Sequence, residues 1–392
     1  MSKYKSLTVI ILMFCFSAFA QNESSKENII FIIVDDLRDL VMADNQLEII
    51  TPNIDKLKKR GVNFKNSFTN NPTCGASRAS ILTGLRPTKS RFRNYDTKIN
   101  KDAPNALTIA SYLKKNGYRT ISNGKISHFS KDAAYGWDDM FRSPRSNPKD
   151  YKDTLNIKNL KNNFGPASEF IYADDNDYSD GKVTQKTLRD IQSINNDDKP
   201  YFIAVGFQKP HLPFIAPKKY WDLYQRNDFS MPSNKAIPPG YPIYAANPRA
   251  AEMQRYSDYE GESPKDFPEE TNRRLLHGYA AATSYADACV GRILDALDKN
   301  GHAENTVVVL WGDHGWKLGD HSSWCKHTNF ECDTRVPLIV RDPRHEGGQK
   351  TNRLVELIDL YPTLCELTGL PVPEHCQGRS FKTLLSEWFV VR

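Results

Sequence analysis

The sequence predicts an α/β fold with a large, mostly parallel sheet between helices. Short apolar runs rich in β-branched residues alternate with longer segments in which apolar residues follow helical spacing. The run at residues 29–34 (IIFIIV) is continuously apolar, which is typical of a parallel strand buried on both faces. Acidic residues directly follow two of the apolar runs, at the strand ends where open α/β sheets bind their ligands. A chain of 392 residues, 39% hydrophobic and 26% charged, is long enough to bury such a core.

The predicted elements follow one another along most of the chain. Strands are expected at residues 29–34, 118–122, 201–207, 306–311 and 336–340. Helices are expected at residues 51–59, 107–115, 275–299 and 357–368, and a further helix-like run opens at Cys74. Thr51 and Pro52 suit the start of the first helix as N-cap and first-turn residue, and Gly61 closes it.

Two long segments lack this periodicity. Residues 140–200 are rich in Asn, Asp and Lys, so we expect long surface loops there. Residues 226–270 are rich in Pro and Tyr, which predicts an irregular segment of the kind that often borders a substrate cleft.

The amino-terminal residues 1–20 have the pattern of a secretory signal peptide. Lys3 and Lys5 precede an apolar run at 7–16, and the small-residue site at 18–20 predicts cleavage after Ala20. A membrane anchor is the alternative, but this apolar run is too short to span a bilayer, and no later stretch is apolar enough. We therefore expect a secreted or periplasmic protein without stable membrane insertion. The net charge of +6 falls near +4 without this segment, which is too small to predict a nucleic-acid partner.

Cys74 and Arg78 lie in the stretch 71–84 (NPTCGASRASILTG), where a helix-like run begins at the cysteine. The first backbone N–H groups of a helix are unpaired, and the helix dipole there favours anions. A reactive group in this position suits an anionic substrate such as a sulfate or phosphate ester.

Two acidic pairs follow predicted strands. Asp35 and Asp36 come directly after the first strand, and Asp313 and His314 follow the strand at 306–311. Each pair alone is also typical of a solvated turn or a helix cap. Together, three carboxylates and one imidazole favour a hard divalent cation, Ca²⁺ or Mg²⁺, over zinc.

Further basic residues follow other predicted strands or lie beside aromatic residues. Lys125 and His128 are three residues apart, His211 lies in a loop with two prolines, and Lys326 lies in the segment 324–331 (WCKHTNFE). A single Lys or His in such a place is usually structural or solvated. Together with Arg78, these groups could neutralise a tetra-oxygen anion beside a metal ion.

Six motifs, in this order, resemble those of the formylglycine-dependent sulfatases of the alkaline phosphatase superfamily, and within them the iduronate-2-sulfatase group. The resemblance extends from about residue 28 to residue 370 and rests on VDDLR at 34–38, CGASR at 74–78, GKISH at 124–128, KPHLPF at 209–214, GDHGWKLG at 312–319 and WCKHTNFE at 324–331. It implies an alkaline-phosphatase-like fold and a sulfuric ester hydrolase.

The resemblance also implies the cofactors. Cys74 is expected to be oxidised to formylglycine (3-oxoalanine) by a formylglycine-generating maturation enzyme, and the hydrate of this aldehyde is the nucleophile in the family. One Ca²⁺ is expected to bind the modified Cys74 together with Asp35, Asp36, Asp313 and His314.

The resemblance assigns expected roles to the remaining residues. Arg78 would hold and polarise the nucleophile, and Lys125 would contact the nucleophile or the sulfate. His128 would take a proton when sulfate is released. His211 and Lys326 would bind the sulfate on the leaving-group side, with His211 as the general acid.

The sequence departs from the family pattern in two places. Ala76 stands where most members have Pro. Members also usually continue into a smaller C-terminal subdomain, which we expect to be truncated here. The expected organisation is a signal peptide at 1–20, a catalytic domain at 21–370 and a remnant of the subdomain at 371–392.

The expected substrate is a sulfated oligosaccharide or polysaccharide, with the sulfate ester on a uronic acid or related sugar. One alternative is a phosphate mono- or diester hydrolase of the same superfamily. Another is a truncated, non-catalytic protein that binds glycans.

Overall fold

An eight-stranded sheet forms the centre of the computed structural model. The structure describes residues 27–386 except 40–47, 146, 161–164, 195–198, 247–249, 260 and 262. The predicted signal peptide at 1–20 lies outside the described residues. The strands, in chain order, are β1 (Asn28–Val34), β2 (Val62–Phe68), β3 (Arg119–Gly124), β4 (Asp139–Phe141), β5 (Ser168–Ile171), β6 (Tyr201–Phe207), β7 (Phe214–Pro217), β8 (Thr306–Gly312), β9 (Lys317–Leu318), β10 (Trp324–Cys325), β11 (Leu338–Arg341) and β12 (Gln349–Glu356).

The strand order of the main sheet is β12-β2-β11-β8-β1-β6-β3-β4. All neighbouring pairs in this sheet are parallel except those made by β11, which runs antiparallel to both β2 and β8. The predicted large, mostly parallel sheet is therefore confirmed. Two small two-stranded sheets, β9 with β10 and β5 with β7, lie outside it.

Helices cover both faces of the main sheet. In chain order they are α1 (Pro52–Arg60), α2 (Cys74–Thr83), α3 (Ile99–Asp102), α4 (Ile109–Lys115), α5 (Thr154–Asn159), α6 (Ser179–Ser193), α7 (Lys218–Trp221), α8 (Glu269–Lys299), α9 (Glu331–Thr334) and α10 (Leu360–Leu367). Ile29, Phe31 and Ile33 of β1 share one apolar cluster with residues of α2, α4 and α10. The alternate residues Ile30 and Ile32 share another cluster with residues of α1, α6 and α8. This burial on both faces explains why the β1 sequence is apolar without alternation.

Strand β1 lies between β6 and β8, and all three run in the same direction. Val34 at the end of β1 is in register with Gly312 at the end of β8. The residues that follow, Asp35 and Asp313, therefore leave the sheet side by side. The fold thus brings together the two acidic pairs that the sequence places at strand ends.

The expectation for residues 140–200 needs correction, because this segment contains the 15-residue helix α6. Its buried face is largely polar and includes Asp180, Thr184 and Thr187, so hydrophobic periodicity gave little signal. Strands β2 and β12 were also not predicted. Helix α8 begins at Glu269, six residues before the predicted start at residue 275.

The described residues of the segment 226–270 form short 3₁₀ turns and loops before α8, as expected for an irregular segment. Beyond residue 370, Phe381 and Leu385 are buried in the apolar cluster beneath α2 and α10. The division into domains remains a prediction. In the described part of the chain, no helix combines the length and the apolar character needed to cross a bilayer.

Candidate active site

Cys74 is the first residue of α2, after Thr73 in an extended conformation. All ten residues of this helix are buried, and Cys74 is only 3% exposed. Its Sγ lies 3.1 Å from Nε2 of His314. Ser77 donates a hydrogen bond of 2.6 Å to the backbone carbonyl of Asp313, which ties α2 to the end of β8. The sequence-predicted helix start and the acidic strand end therefore meet directly.

Asp35, Asp36, Asp313 and His314 are all fully buried. Asp36 adopts a positive φ of 62°, and its backbone N–H donates to Oδ1 of Asp313 at 3.2 Å. The hydroxyl of Tyr279 on α8 donates to the backbone carbonyl of Asp36 at 2.8 Å. These backbone contacts hold the turn after β1 against both β8 and α8.

The arrangement around His314 suits a cation. His314 Nδ1 lies 3.0 Å from the carbonyl of Gly315, which can only accept, so Nδ1 carries the hydrogen. In the neutral ring Nε2 then presents its lone pair, and it lies 3.5 Å from Asp36 Oδ1 and 3.8 Å from Asp313 Oδ2. Burial opposes protonation of His314, but the charges of Asp313 and Cys74 outweigh it and raise its pKa to about 10. Without a cation the ring is therefore protonated at neutral pH; a divalent cation would take the place of the Nε2 proton, on a ring whose tautomer is fixed by the contact of Nδ1 with Gly315.

Candidate metal-binding groups are found here among the described residues. Potential ligand atoms of Asp35, Cys74, Asp313 and His314 lie within 4.8 Å of one another, as do those of Asp35, Asp36, Cys74 and His211. Carboxylate oxygens are the ligands that Ca²⁺ and Mg²⁺ prefer. The donor set therefore fits the hard divalent cation expected from the sequence.

Arg78 lies one helical turn after Cys74 and is completely buried. Its Nε donates to Asp313 Oδ2 at 2.7 Å, and one terminal nitrogen donates to Asp35 Oδ1 at 2.9 Å. The other terminal nitrogen donates to the carbonyls of Lys125 and Ile126. One planar guanidinium group thus joins the ends of β1 and β8 to the segment after β3.

Two lysines pair with the carboxylates. Lys125 Nζ contacts Asp35 Oδ2, and Lys326 Nζ donates to both Asp36 oxygens at 2.8 and 3.0 Å. Burial raises the pKa of Asp35, but Lys125 and Arg78 reverse this and hold it well below its usual range. For Asp36 burial prevails over Lys326, and the pKa is raised. The cluster is therefore a dense network of buried opposite charges.

His211 follows β6 in the loop that contains Pro210 and Pro213. Both X–Pro bonds of this loop, Lys209–Pro210 and Leu212–Pro213, are cis. The buried ammonium group of Lys209 donates to the carbonyls of His211 and Pro213, each at 2.7 Å. Lys209 therefore stabilises the conformation of this loop, and the imidazole of His211 lines the cavity.

His128 lies beside the same site but in a different environment. Among the described residues its Nδ1 is buried without a hydrogen-bond partner. Its ring packs edge-on against Phe129, with 5.0 Å between ring centroids. Burial and the nearby Lys125 lower the pKa of His128 to about 3. His128 is therefore neutral over the physiological pH range.

A cavity of about 430 Å³ opens onto these groups. Four of the sequence-predicted residues line it: Cys74, His128, His211 and Lys326. The lining also includes residues that the sequence analysis did not single out: Thr73, Tyr95, Lys149, Ala251, Glu252, Arg255, Tyr256 and His327.

The structure thus brings every sequence-predicted site residue into one region. The metal-ligand candidates and Arg78 are buried against the cavity residue Cys74, and Lys125 joins them through Asp35. Of the residues missed, His327 follows Lys326 within a recognised motif. Glu252 had no signal beyond its place in an irregular segment expected to border a cleft.

The Sulfatase family profile matches residues 27–370. The chain belongs to the sulfatase family. Iduronate 2-sulfatase of Mus musculus is 32% identical over 423 aligned residues, covering 96% of this chain and 75% of the mouse protein. A sulfatase of Formosa agariphila is 31% identical, covering 94% of this chain and 74% of its own length.

Solved structures show the same fold as this sulfatase. One, determined in complex with D-glucosamine-2-N,6-O-disulfate, has a TM-score of 0.72 and 22% identity, covering 92% of this chain and 80% of its own. The phosphonate monoester hydrolase of Agrobacterium radiobacter has a TM-score of 0.74 and 21% identity, covering 94% of this chain and 79% of its own. The alkaline-phosphatase-like sulfatase fold expected from the sequence is confirmed.

Proposed function

We propose that this sulfatase hydrolyses sulfate esters on sugar residues of a sulfated oligosaccharide or polysaccharide. One observation carries the proposal: Cys74 begins a buried helix, lies 3.1 Å from His314 and opens onto a cavity lined by His211 and Lys326. A nucleophile, a cation site and positively charged groups are thereby gathered where one sulfate group can reach them.

The chemistry of the expected cofactors fits these residues. Formylglycine at position 74 would supply a hydrated aldehyde as nucleophile, and Asp35, Asp36, Asp313 and His314 would hold a Ca²⁺ ion that supplies positive charge for the ester oxygens. Arg78 orients the carboxylates on either side of position 74 through its bonds to Asp35 and Asp313.

The chain's own cations surround the space for the sulfate. Lys125 and Lys326 neutralise negative charge that develops on the ester oxygens. The Nε2 of His211 donates a proton to the leaving oxygen of the sugar as the S–O bond breaks. His128 is neutral at physiological pH, because its pKa is about 3, and it is proposed to take the proton that must be removed when sulfate is released. The negative charge of a bound sulfate would raise the pKa of His128 toward the range of an effective base.

The proposed substrate is a uronic acid or related residue that carries a sulfate ester. The cavity volume of about 430 Å³ suits one sugar residue, and its aromatic residues Tyr95 and Tyr256 offer apolar surface for a ring. Lys149 and Arg255 add positive charge on the same wall. The likeness to iduronate 2-sulfatase, together with the fold shared with a protein solved in complex with a disulfated glucosamine, supports this class.

Mass spectrometry of the Cys74 peptide tests the proposed nucleophile. Conversion of the thiol to an aldehyde lowers the peptide mass by roughly 18 Da, from the chemistry of cysteine oxidation. The protein is produced in a host known to modify such motifs, and Cys74→Ala provides the inactive control. An unmodified thiol together with full sulfatase activity would contradict the mechanism.

A phosphate or phosphonate ester hydrolase is the second candidate, because the phosphonate monoester hydrolase structure has the same fold. Matched aryl sulfate and aryl phosphate esters separate the two. We expect a higher kcat/KM for the sulfate, and a much faster phosphate reaction would reject the sulfatase assignment.

The proposed maturation partner is a formylglycine-generating enzyme that accepts Ala76 within the motif. We also propose export to the periplasm or medium with cleavage after Ala20. Amino-terminal sequencing of exported protein tests this, and a first residue other than Gln21 would contradict the cleavage site.

A further inference from the structure

Glu252 is an acidic residue on the wall of a cavity that otherwise collects positive charge. It lies in the loop before α8, outside every motif identified in the sequence, and its side chain is 23% exposed. One carboxylate oxygen lies 3.1 Å from His211 Nε2 and the other lies 3.2 Å from Lys326 Nζ. Burial raises the pKa of Glu252, but the charges of Lys326 and His211 outweigh it and hold the pKa well below its usual range.

We propose that Glu252 is a positioning residue that holds the ring of His211 and the ammonium group of Lys326 in place at the cavity for the leaving oxygen of a bound ester. This inference rests on the proposed sulfatase function. It adds to that function a residue that bridges the general acid and the adjacent lysine.

The hydrogen-bond geometry of His211 supports the role. Its Nδ1 lies 2.6 Å from the carbonyl of Leu212, so Nδ1 carries a hydrogen. Its Nε2 faces the carboxylate of Glu252, which is also an acceptor. The two contacts fix the plane of the ring, and the leaving oxygen of a bound ester would take the place of Glu252 as the acceptor of the Nε2 hydrogen.

Lys326 is fixed by the same carboxylate. Its ammonium group lies between Glu252 and Asp36 and over the ring of Trp316, 4.9 Å from the ring centroid. Glu252 thereby sets the separation of His211 and Lys326. Both groups are proposed to act on the same side of the sulfate.

The proton balance of the step is simple. The Nε2–H bond of His211 breaks and an O–H bond forms on the leaving oxygen, while the electron pair of the cleaved S–O bond stays on that oxygen. His211 is left neutral with Nδ1–H still bonded to Leu212, and solvent water returns the proton to Nε2 before the next turnover.

A negative charge in a cavity for anions does not favour ground-state binding of a sulfate ester. Removing the charge should therefore leave KM unchanged or lower it, whereas losing the orientation of His211 should lower kcat. Proton donation matters most when the leaving group is a poor one. A purely structural residue would show neither pattern.

Glu252→Gln tests the proposal. The amide oxygen of Gln can accept a hydrogen bond from only one of the two side chains, His211 or Lys326, and the NH₂ group of Gln faces the other. Substrates range from 4-nitrophenyl sulfate through phenyl sulfate to an alkyl sulfate ester. We expect kcat to fall about 10- to 100-fold for the alkyl ester and by less than about threefold for 4-nitrophenyl sulfate, with KM unchanged or lower.

Glu270→Gln is the matched control, because Glu270 pairs with Arg226 at an exposed site. It should retain the wild-type kinetics for every ester. Glu252→Asp, which keeps the charge, provides a second variant if Glu252→Gln does not fold. We expect Glu252→Asp to lower kcat less than Glu252→Gln does, and again more for the alkyl ester than for 4-nitrophenyl sulfate.

A double-mutant cycle with His211→Asn checks that Glu252 acts through His211. In the His211→Asn background, Glu252→Gln should cause no further leaving-group-dependent loss. Equal loss for all esters, or additive effects in the cycle, would overturn the proposal. A wild-type protein that cleaves none of the sulfate esters would instead overturn the proposed function, so the two failures are distinguishable.

Discussion

Arg78 joins two buried carboxylates of the active site through one guanidinium group. Asp35 and Asp313 lie at the ends of neighbouring strands, and both accept hydrogen bonds from Arg78. Without a cation between them, these like charges would repel one another in a site that is closed to solvent. The same side chain therefore serves both the stability of the strand ends and the geometry around Cys74.

We expect Arg78→Ala to lower the free energy of unfolding by about 3–5 kcal/mol, because it leaves buried charges without their partner. Urea unfolding of the protein without added metal measures the change. Arg60→Ala is the matched control, since Arg60 makes a two-pronged pair with Asp298 at a partly exposed site. The control should lose at most about 1 kcal/mol. Equal losses for the two variants would contradict the role of burial.

His128 makes stability depend on pH at the residue scale. Burial and Lys125 lower its pKa to about 3 in the folded protein, whereas an unfolded His titrates near 6.5. As the pH falls below about 6.5, His128 binds a proton in the unfolded chain but not in the folded protein. The free energy of unfolding therefore falls, by about 1.4 kcal/mol at pH 5.5 for this one group.

His128→Gln should remove that part of the pH dependence. Urea unfolding at pH 7.5, 6.5 and 5.5 compares the variant with the wild type. His327, whose pKa is lowered to about 3 by burial and Lys326, should leave the variant a similar residual slope. An unchanged slope in His128→Gln would show that His128 has the same pKa in the folded protein as in the unfolded chain.

At the scale of elements, the backbones of β3 and β6 lie very close together at the point where Lys125 follows β3 into the site. The backbone N–H of Lys125 donates to the carbonyl of Gly206 at 2.8 Å. A Cβ added at Gly206 would lie 2.0 Å from the backbone oxygen of Lys125. Only glycine permits this contact, because the clashing atom belongs to the backbone of Lys125 and cannot move away by a side-chain rotation.

We expect Gly206→Ala to separate the two strands, lower the free energy of unfolding by about 1–3 kcal/mol and reduce kcat/KM by displacing Lys125. Gly117→Ala is the control. Nothing lies within 4 Å of a Cβ added there, although its φ of 91° makes the change mildly unfavourable. It should lose stability but not activity, as seen in thermal melts and aryl sulfate assays. Full activity in Gly206→Ala would mean that the strands can adjust.

The elements also show what the sequence could predict. The strands at the centre of the sheet were found because burial on both faces leaves an unbroken apolar run, as in β1 and β8. Helix α6 was missed because its buried face carries polar groups that bond to other loops. Asp180, for example, accepts hydrogen bonds from the backbone N–H groups of Gln208 and Lys209.

The residues of the candidate site likewise differ in whether the sequence could locate them. Asp35, Asp36, Asp313 and His314 could be located because they directly follow predicted strands that lie together in a parallel sheet. Glu252 could not, because its loop has no periodic structure. Its contacts with His211 and Lys326 join segments that are distant in the sequence.

At the scale of the whole molecule, the expected cation connects distant parts of the chain. Its proposed ligands come from the ends of β1 and β8 and the start of α2, and the donor atoms of Asp35, Cys74, Asp313 and His314 lie within 4.8 Å of one another. In an unfolded chain these groups would be scattered. A cation that binds here therefore stabilises only the folded protein.

We expect Ca²⁺ at 100 times its dissociation constant to raise the free energy of unfolding by about 2.7 kcal/mol. A chelator should lower Tm by a few degrees and suppress sulfate ester hydrolysis, and added Ca²⁺ should restore both. Asp313→Asn is the matched variant: it keeps the shape of a ligand but loses its charge, so its Tm should respond weakly to Ca²⁺. Sodium chloride at equal ionic strength separates site binding from screening of surface charge. A wild-type Tm and activity that do not change between chelator and Ca²⁺ would reject the metal assignment.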